Sequence, residues 1–424
     1  MKINDRFTLL FVRIVQKLLG LRKVGSGTAL PGLIIEKYIP SAFERFAGQL
    51  DTIILITGTN GKTTTKAIMS EIFQEADIEF VSNKSGSNMK RGILSAFLEN
   101  SNLSGKLRSK TGIFEVEEAT LPRIVDNLKP SILIVTNLFR DQLDAYGEVN
   151  KTREYIRDAI EKSPEAKVIL NGDDPLVSTL TKNLPNETLY FSIAEKYRKN
   201  ISYEGISTKN GSSDILQASK IVIQEDLSSE FQADDQTYLL KTPGIYHVYN
   251  ALAAILSAEL MEIDQAHISN AIQNFKSAFG RGETIEYRTI TGKKINFKIL
   301  LIKNPAGFTL TLDLLKRTKG IKLLLILNDK IADGRDVSWI WDSEVEKLND
   351  IQPNLIITSG TRAHDMALRI KYSLKESEQN ILVRPNIRRA ILSAGKRAKQ
   401  DETIYVLPTY TAMNEFRKLL GKKF

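Results

Sequence analysis

Cysteine is missing from all 424 residues of this chain. Disulfides and thiolate metal sites are therefore excluded, and the chain suits a reducing compartment. Histidine is scarce too: His247, His267 and His364 are the whole set and show no metal-ligand spacing. They read as structural or surface residues. No long apolar run is present. The stretch Phe7 to Leu19 is broken by Arg13 and Lys17, so it is too short and too charged to span a membrane. No small-residue cleavage site clearly follows it. It reads as a cationic amphipathic helix, either packed on the main domain or resting on an anionic membrane face. A helicase-like motif series and a clustered basic-aromatic patch are also missing, so nucleic acid is not an expected partner.

What remains is ordinary for a soluble globular protein: 42% hydrophobic and 26% charged residues, over a length that supports two or three domains. The net charge of +9 suits acidic partners such as nucleotides, phosphorylated substrates or anionic lipid. The basic residues are dispersed, however, and solvated surface lysines account for most of them.

The most specific feature is Ile56-Thr57-Gly58-Thr59-Asn60-Gly61-Lys62-Thr63-Thr64-Thr65. An apolar run, Thr52 to Ile56, precedes it and reads as a buried parallel strand. Lys66 to Phe73 follows with helical spacing. Strand, Gly-rich turn, Lys-Thr and helix make a phosphate cradle, in which backbone N–H groups converge on phosphate oxygens. Lys62 is placed for the β/γ-phosphates and Thr63 for Mg²⁺. The motif is shorter than GxxxxGK[ST], because position 56 is Ile.

Beyond residue 50, β-branched apolar runs alternate with helical stretches. Strands are predicted at 52–56, 111–116, 131–136, 167–170, 297–302, 321–327, 354–358 and 403–407. Such alternation implies a parallel α/β architecture with functional loops at the C-terminal strand ends. The polar stretch 194–240 reads as a small antiparallel β insert. The expected division is an N-terminal helical segment over 1–48, a central domain over 49–285 and a C-terminal α/β domain over 286–424.

Two further strand ends carry candidate chemistry. In Phe114-Glu115-Val116-Glu117-Glu118, Glu115 is the favoured Mg²⁺ ligand, with Glu117 on the same face and Glu118 starting the next turn. The alternative is solvated strand-end charge. Thr136-Asn137 and Asp141 to Gly147 follow the run Ile132 to Val135. Polar groups there can position phosphates, metal-bound water or substrate.

These segments, with Asn171-Gly172-Asp173-Asp174-Pro175 and Tyr249-Asn250-Ala251-Leu252-Ala253-Ala254, occur in the order seen in Mur ligases, which the chain resembles. Gln142 stands where that family usually has His, which makes an ordinary amino-acid-adding ligase a poorer match. Ser87-Asn88-Met89, Lys303-Asn304-Pro305-Ala306-Gly307, Asn328 to Asp342 and Ser359-Gly360-Thr361-Arg362-Ala363 resemble the MurT branch of the family. The resemblance runs from about Leu30 to Tyr410.

The resemblance implies an α/β fold: a Mur-ligase-like central P-loop ATPase domain with a parallel sheet, plus a smaller Rossmann-like C-terminal domain. It implies an ATP- and Mg²⁺-dependent ligase of peptidoglycan synthesis, cytoplasmic and at the inner face of the membrane. Its substrate would be lipid II, whose D-glutamate α-carboxylate is amidated, and its partner a GatD-type glutamine amidotransferase. The implied nucleotide site is Gly58, Thr59, Asn60, Gly61, Lys62, Thr63 and Thr64, with Asn250 on adenine and Arg281, Lys303 and Asn304 closing from the C-terminal domain. Arg281 reads equally as an interdomain salt-bridge residue. Thr63 and Glu115 would hold Mg²⁺, with Lys62 and Glu115 serving catalysis.

Asp336 would complete the partner's Cys-His pair; its plain alternatives are pairing with Arg335 or capping the next helix. Asp342 is the lesser candidate. Trp339 and Trp341 are either partner-facing anchors or core. MurT proteins commonly carry a four-cysteine zinc ribbon, so no zinc is expected here, and segment 194–240 takes the ribbon's place. A stand-alone Mur ligase and a non-catalytic ATP-binding scaffold at the membrane are the competing readings.

Overall fold

The computed structural model describes residues 30–421 except 85, 103, 140–148, 201–214, 225, 277–280, 319 and 376–380. The amphipathic stretch 7–19 and the segment from Asp141 to Gly147, Gln142 included, lie outside the described residues.

The central domain is a nine-stranded sheet. Its strands are β1 (Thr52–Thr57), β2 (Phe80–Ser82), β3 (Thr111–Glu115), β4 (Ile132–Val135), β5 (Lys167–Asn171), β6 (Thr188–Ile193), β7 (Ile215–Ile223), β8 (Ser229–Ala233) and β9 (Gln236–Leu240). They lie in the order β2-β3-β1-β4-β5-β6-β7-β8-β9. Pairing is parallel through β7 and antiparallel from β7 to β9. Parallel strands carry helices on both faces, so successive residues of β1 from Ile53 to Thr57 are buried. Ile53 and Leu55 join the core shared with helices Ala42–Ala47, Lys90–Asn100, Leu121–Leu128 and Val149–Glu161. Ile54 and Ile56 join the core shared with Lys62–Glu75, Ile245–Leu260 and Gln265–Asn274.

Two expectations need correction. Segment 194–240, expected as a small antiparallel β insert, is antiparallel over β7, β8 and β9, but β7 also pairs in parallel with β6, so these strands extend the main sheet. Its described strands are held by packing. Phe231 and Tyr238 are buried and stacked with centroids 5.3 Å apart, in the same core as the helix Ile245–Leu260. Residues 30–48 likewise belong to the central domain. Phe43 and Phe46 pack on Phe97 at 5.9 and 5.7 Å, and Gly32 lies so close to the Arg91 carbonyl that a Cβ would sit 1.9 Å from it.

The second sheet comprises β10 (Arg281–Arg288), β11 (Lys294–Leu300), β12 (Lys322–Ile326), β13 (Leu355–Ser359), β14 (Ile381–Val383) and β15 (Thr403–Pro408). Its order is β10-β11-β15-β12-β13-β14, parallel except for the β10–β11 hairpin. This sheet therefore begins at Arg281, inside the region first assigned to the central domain. Leu323 and Leu325 face one core and Leu324 and Ile326 the other, as expected for a doubly covered sheet. Among the described residues no helix is long and apolar enough to cross a membrane.

Candidate active site

β1 lies between β3 and β4, and the chain leaves it in one direction and β3 in the other. The crevice outside β1 and β3 is thus a topological switch point, where α/β sheets bind ligands. The turn after β1 occupies it. Gly58 and Gly61 have φ of +119° and +96°, which L side chains rarely adopt. A Cβ on Gly58 would lie 2.4 Å from Thr136 Oγ1, and one on Gly61 2.3 Å from Asn250 Oδ1.

The loop after β4 braces this turn. Thr136 Oγ1 donates to Asn60 O at 2.7 Å, Asn137 Nδ2 donates to Asn60 O at 2.9 Å, and Asn137 Oδ1 accepts from Asn60 N at 2.9 Å. Thr59 Oγ1 accepts from Phe139 N at 3.0 Å. The bracing loop is itself fixed: Asp174 Oδ2 accepts from Leu138 N at 2.7 Å, and Asn171 Nδ2 donates to Thr136 O at 3.0 Å. Neighbouring Asp173 accepts from Ile193 N and from Tyr249 Oη, both at 2.8 Å, and pairs with Arg198 at 2.9 Å. Burial nevertheless pushes its carboxyl above the ordinary range. Thr136, Asn137 and Asp174 thus act as scaffold of the cradle, while Asp173 ties the end of β5 to β6 and to Tyr249.

Lys62 opens the helix Lys62–Glu75, with Thr63 and Thr64 in its first turn. The Lys62 ammonium donates to the carbonyl of Gly58 and to Glu118 Oε1, the latter at 2.7 Å. Glu115, at the end of β3, is 1% exposed. Its Oε1 accepts from Gly86 N at 3.0 Å and lies 3.7 Å from Lys66 Nζ. Its Oε2 is buried and has no hydrogen-bond partner among the described residues. A buried carboxylate oxygen left without a donor is costly unless something else fills its lone pairs. One such carboxylate, a hydroxyl in the first helical turn and nucleotide phosphates form a donor set that suits Mg²⁺, which keeps several waters and needs few protein ligands. No three His, Asp or Glu side chains form a metal cluster among the described residues.

Asn250 sits beneath the turn. Its Oδ1 lies 3.5 Å from Thr65 Oγ1, and its Nδ2 lies 3.3 Å from Nδ1 of the buried His247. The C-terminal domain reaches the turn from above. Lys303 Nζ donates to Thr59 O at 3.2 Å and Asn304 Nδ2 to Asn60 Oδ1 at 3.1 Å. Asn304 also caps the helix Pro305–Leu315, accepting from Gly307 N at 2.9 Å. Of Arg281, only the backbone is described, opening β10.

Asp336 lies apart from these residues, in the loop after β12, and is exposed. It accepts from Ser338 N at 2.8 Å and Ser338 Oγ at 2.9 Å, starting the 3₁₀ turn Ser338–Trp341. These donors hold its carboxyl below the usual range. The tryptophans differ. Trp339 packs on Phe308 at 6.2 Å, whereas Trp341 is 48% exposed beside the exposed Tyr372 and under the Arg369 guanidinium. One residue escaped the sequence reading as a site candidate: Glu118, which meets Lys62 across fifty-six positions of sequence. No local signal marks it apart from the acidic pair it forms with Glu117.

The residues 56–258 match the family model of the Mur ligase middle domain, and 301–413 match that of the MurT ligase C-terminal domain. The chain is 33% identical over 434 aligned residues to the MurT subunit of glutamine-hydrolyzing lipid II isoglutaminyl synthase from Streptococcus pneumoniae, covering 95% of this chain and 94% of that one. It is 32% identical to the subunit of the same name from Staphylococcus aureus, covering 95% of each. The fold is similar to a crystal structure of MurF from Acinetobacter baumannii, with a TM-score of 0.69 at 17% identity, over 92% of this chain and 81% of that one.

Proposed function

The chain belongs to the MurT family, and from that premise we propose that it is the ATP-dependent subunit of a lipid II isoglutaminyl synthase. It amidates the D-glutamate of lipid II and works with a GatD-type glutaminase. The observation that carries this reading is the conjunction at the β1–β3 crevice: a glycine-built cradle with Lys62, and beside it a buried carboxylate, Glu115, with an oxygen left open.

A carboxylate is a poor acylating agent. In the proposed reaction its oxygen attacks the γ-phosphorus of ATP and ADP departs; ammonia then attacks the acyl carbon and phosphate leaves. Mg²⁺ would offset charge on the transferred phosphoryl group. Thr63 and Glu115 would hold that ion. Lys62 and the backbone N–H groups from Thr59 to Thr64 bind the phosphates. Lys303 and Asn304, already on the turn, close the site from the C-terminal domain, with Arg281 as a further contact and Asn250 toward the adenine.

Ammonia must come from the partner, because a chain without cysteine has no thiol nucleophile for glutamine hydrolysis. Asp336 is the residue offered to the partner's Cys-His pair. Its support is exposure together with an ionised carboxylate already oriented by Ser338. Trp341 and Tyr372 form an exposed aromatic pair on the same domain, suited to anchoring that partner. The proposed place of action is the cytoplasm at the inner face of the membrane, where the lipid-linked substrate lies.

The test is an amidation assay on lipid II with ATP and Mg²⁺. Glutamine is to give product only with the glutaminase partner present, and ammonium is to give product without it. Amino-acid addition to a nucleotide-linked muropeptide, with no amidation from either donor, would favour a stand-alone ligase instead.

A further inference from the structure

We propose that Glu118 is the placeholder anion of the phosphate cradle: it holds the Lys62 ammonium while nucleotide is absent and thereby sets the protein's affinity for ATP. The inference rests on the reading of this turn as the nucleotide site and adds a residue to it.

The geometry is that of a competitor. The Lys62 ammonium has three N–H donors. They turn toward Glu118 Oε1 at 2.7 Å, the Gly58 carbonyl, and the Thr59 carbonyl at 3.5 Å. The pair is largely shielded, with side-chain exposures of 14% for Lys62 and 9% for Glu118, so water screens it weakly. In this arrangement the lysine folds back over its own loop. Phosphate groups in the cradle need that ammonium, and Glu118 is the charged group they must displace.

The backbone that carries Glu118 is fixed. Val116 N donates to Ile56 O at 2.9 Å, Glu117 N to Asn88 O at 3.0 Å, and Thr120 N and Leu121 N both to Glu117 O at 3.0 and 3.1 Å. The backbone on both sides of Glu118 is therefore tied to the sheet, to the loop before the helix Lys90–Asn100 and to the following turn. Lys62, on a four-carbon stem, is the partner free to swing. When it does, Glu118 is left without its cation in a largely shielded position. The returning lysine is then favoured once the phosphates leave. A protein whose binding-competent state is only part of its population binds more weakly by that fraction. The pair lowers ATP affinity in this way and favours release after turnover.

Binding of Mg·ATP and of AMP to the full-length chain, measured by calorimetry, tests this. Glu118→Gln keeps the shape and removes the charge. It is expected to tighten Mg·ATP binding by roughly tenfold and to leave AMP binding unchanged, since AMP lacks the phosphates that Lys62 contacts. Glu118→Ala is to tighten it similarly, and Glu118→Asp, which withdraws the charge by one methylene, by less. A purely structural role would weaken both nucleotides together. Wild-type binding of Mg·ATP with no tightening in Glu118→Gln or Glu118→Ala overturns the role of Glu118 alone. Wild-type protein that binds Mg·ATP no better than AMP overturns the nucleotide site and this inference with it.

Discussion

At the carboxyl ends of β12, β13 and β15, polar side chains pair with one another. Asn328 Oδ1 accepts from Thr361 N at 3.1 Å, and its Nδ2 donates to Thr411 Oγ1 at 3.0 Å. Thr361 Oγ1 donates to Asp329 Oδ1 at 2.8 Å, Arg362 Nε donates to Asp365 Oδ2 at 2.8 Å, and Asp333 accepts from Thr411 N at 2.7 Å at the start of the helix Tyr410–Leu419. The carboxyl ends of β1 and β3 occupy the equivalent place in the central sheet and are built otherwise. There Glu115 keeps a buried oxygen open, and Lys62 and Glu118 pair across a cradle that phosphates would fill. The first arrangement caps helices and fixes loops. The second gives up stability and retains binding capacity, which is how functional sites depart from otherwise consistent local rules. The C-terminal domain instead exposes Asp336 and Trp341, the residues proposed to meet the partner.

Substitutions can break this contrast. Lys62→Ala is expected to lower amidation about 10³-fold with ammonium and with glutamine alike, because the loss is in phosphoryl transfer. Steady-state assays with both donors measure it, and an equal rate to wild type would remove Lys62 from the chemistry. Asp336→Asn is expected to lower only the glutamine-dependent rate, by about 10²-fold, with ammonium-dependent amidation unchanged. A fall in both would place Asp336 in folding or in the synthetase step. Trp341→Ala should weaken association with the glutaminase by roughly 2 kcal/mol, read by titration of labelled partner; unchanged affinity would put the interface elsewhere.

The smallest effect sharpens the scaffold side. Burial raises the Asp173 carboxyl, so its folded-state value lies above its unfolded one. The ionised form is then the disfavoured one: stability from this group is full below the unfolded value and falls as pH rises through the folded value. Asp173→Asn mimics the neutral form and is expected to raise the melting temperature by about 1–2 °C near pH 7.5, with the gain disappearing at pH 4. Thermal melts at the two values check it, and a loss at neutral pH would mean that the Arg198 pair outweighs desolvation.

Every strand predicted from the sequence is present within two or three residues of its expected bounds, since buried parallel strands are continuous β-branched runs. Those not anticipated were three-residue edges, β2 and β14, the half-polar β10, and β6, whose run Leu189-Tyr190-Phe191 is short and only half-buried at its start. The antiparallel nature of 215–240 was legible in its weak alternation. Its membership of the main sheet was not, because that depends on β6 and β7 meeting across a long connection.

The cradle is legible along the chain. Gly58, Gly61, Lys62 and Thr63 lie within six consecutive residues, and their chemistry follows from backbone freedom and helix start, both local properties. The sequence also excluded thiol chemistry outright. Which partners those residues meet depends on how the sheets and domains pack: Asn137 and Asp174 as braces, Lys303 and Asn304 from the other domain, and Glu118 on the lysine. Those contacts join residues from tens to more than two hundred positions apart, so they are fixed by sheet order and domain packing rather than by spacing along the chain.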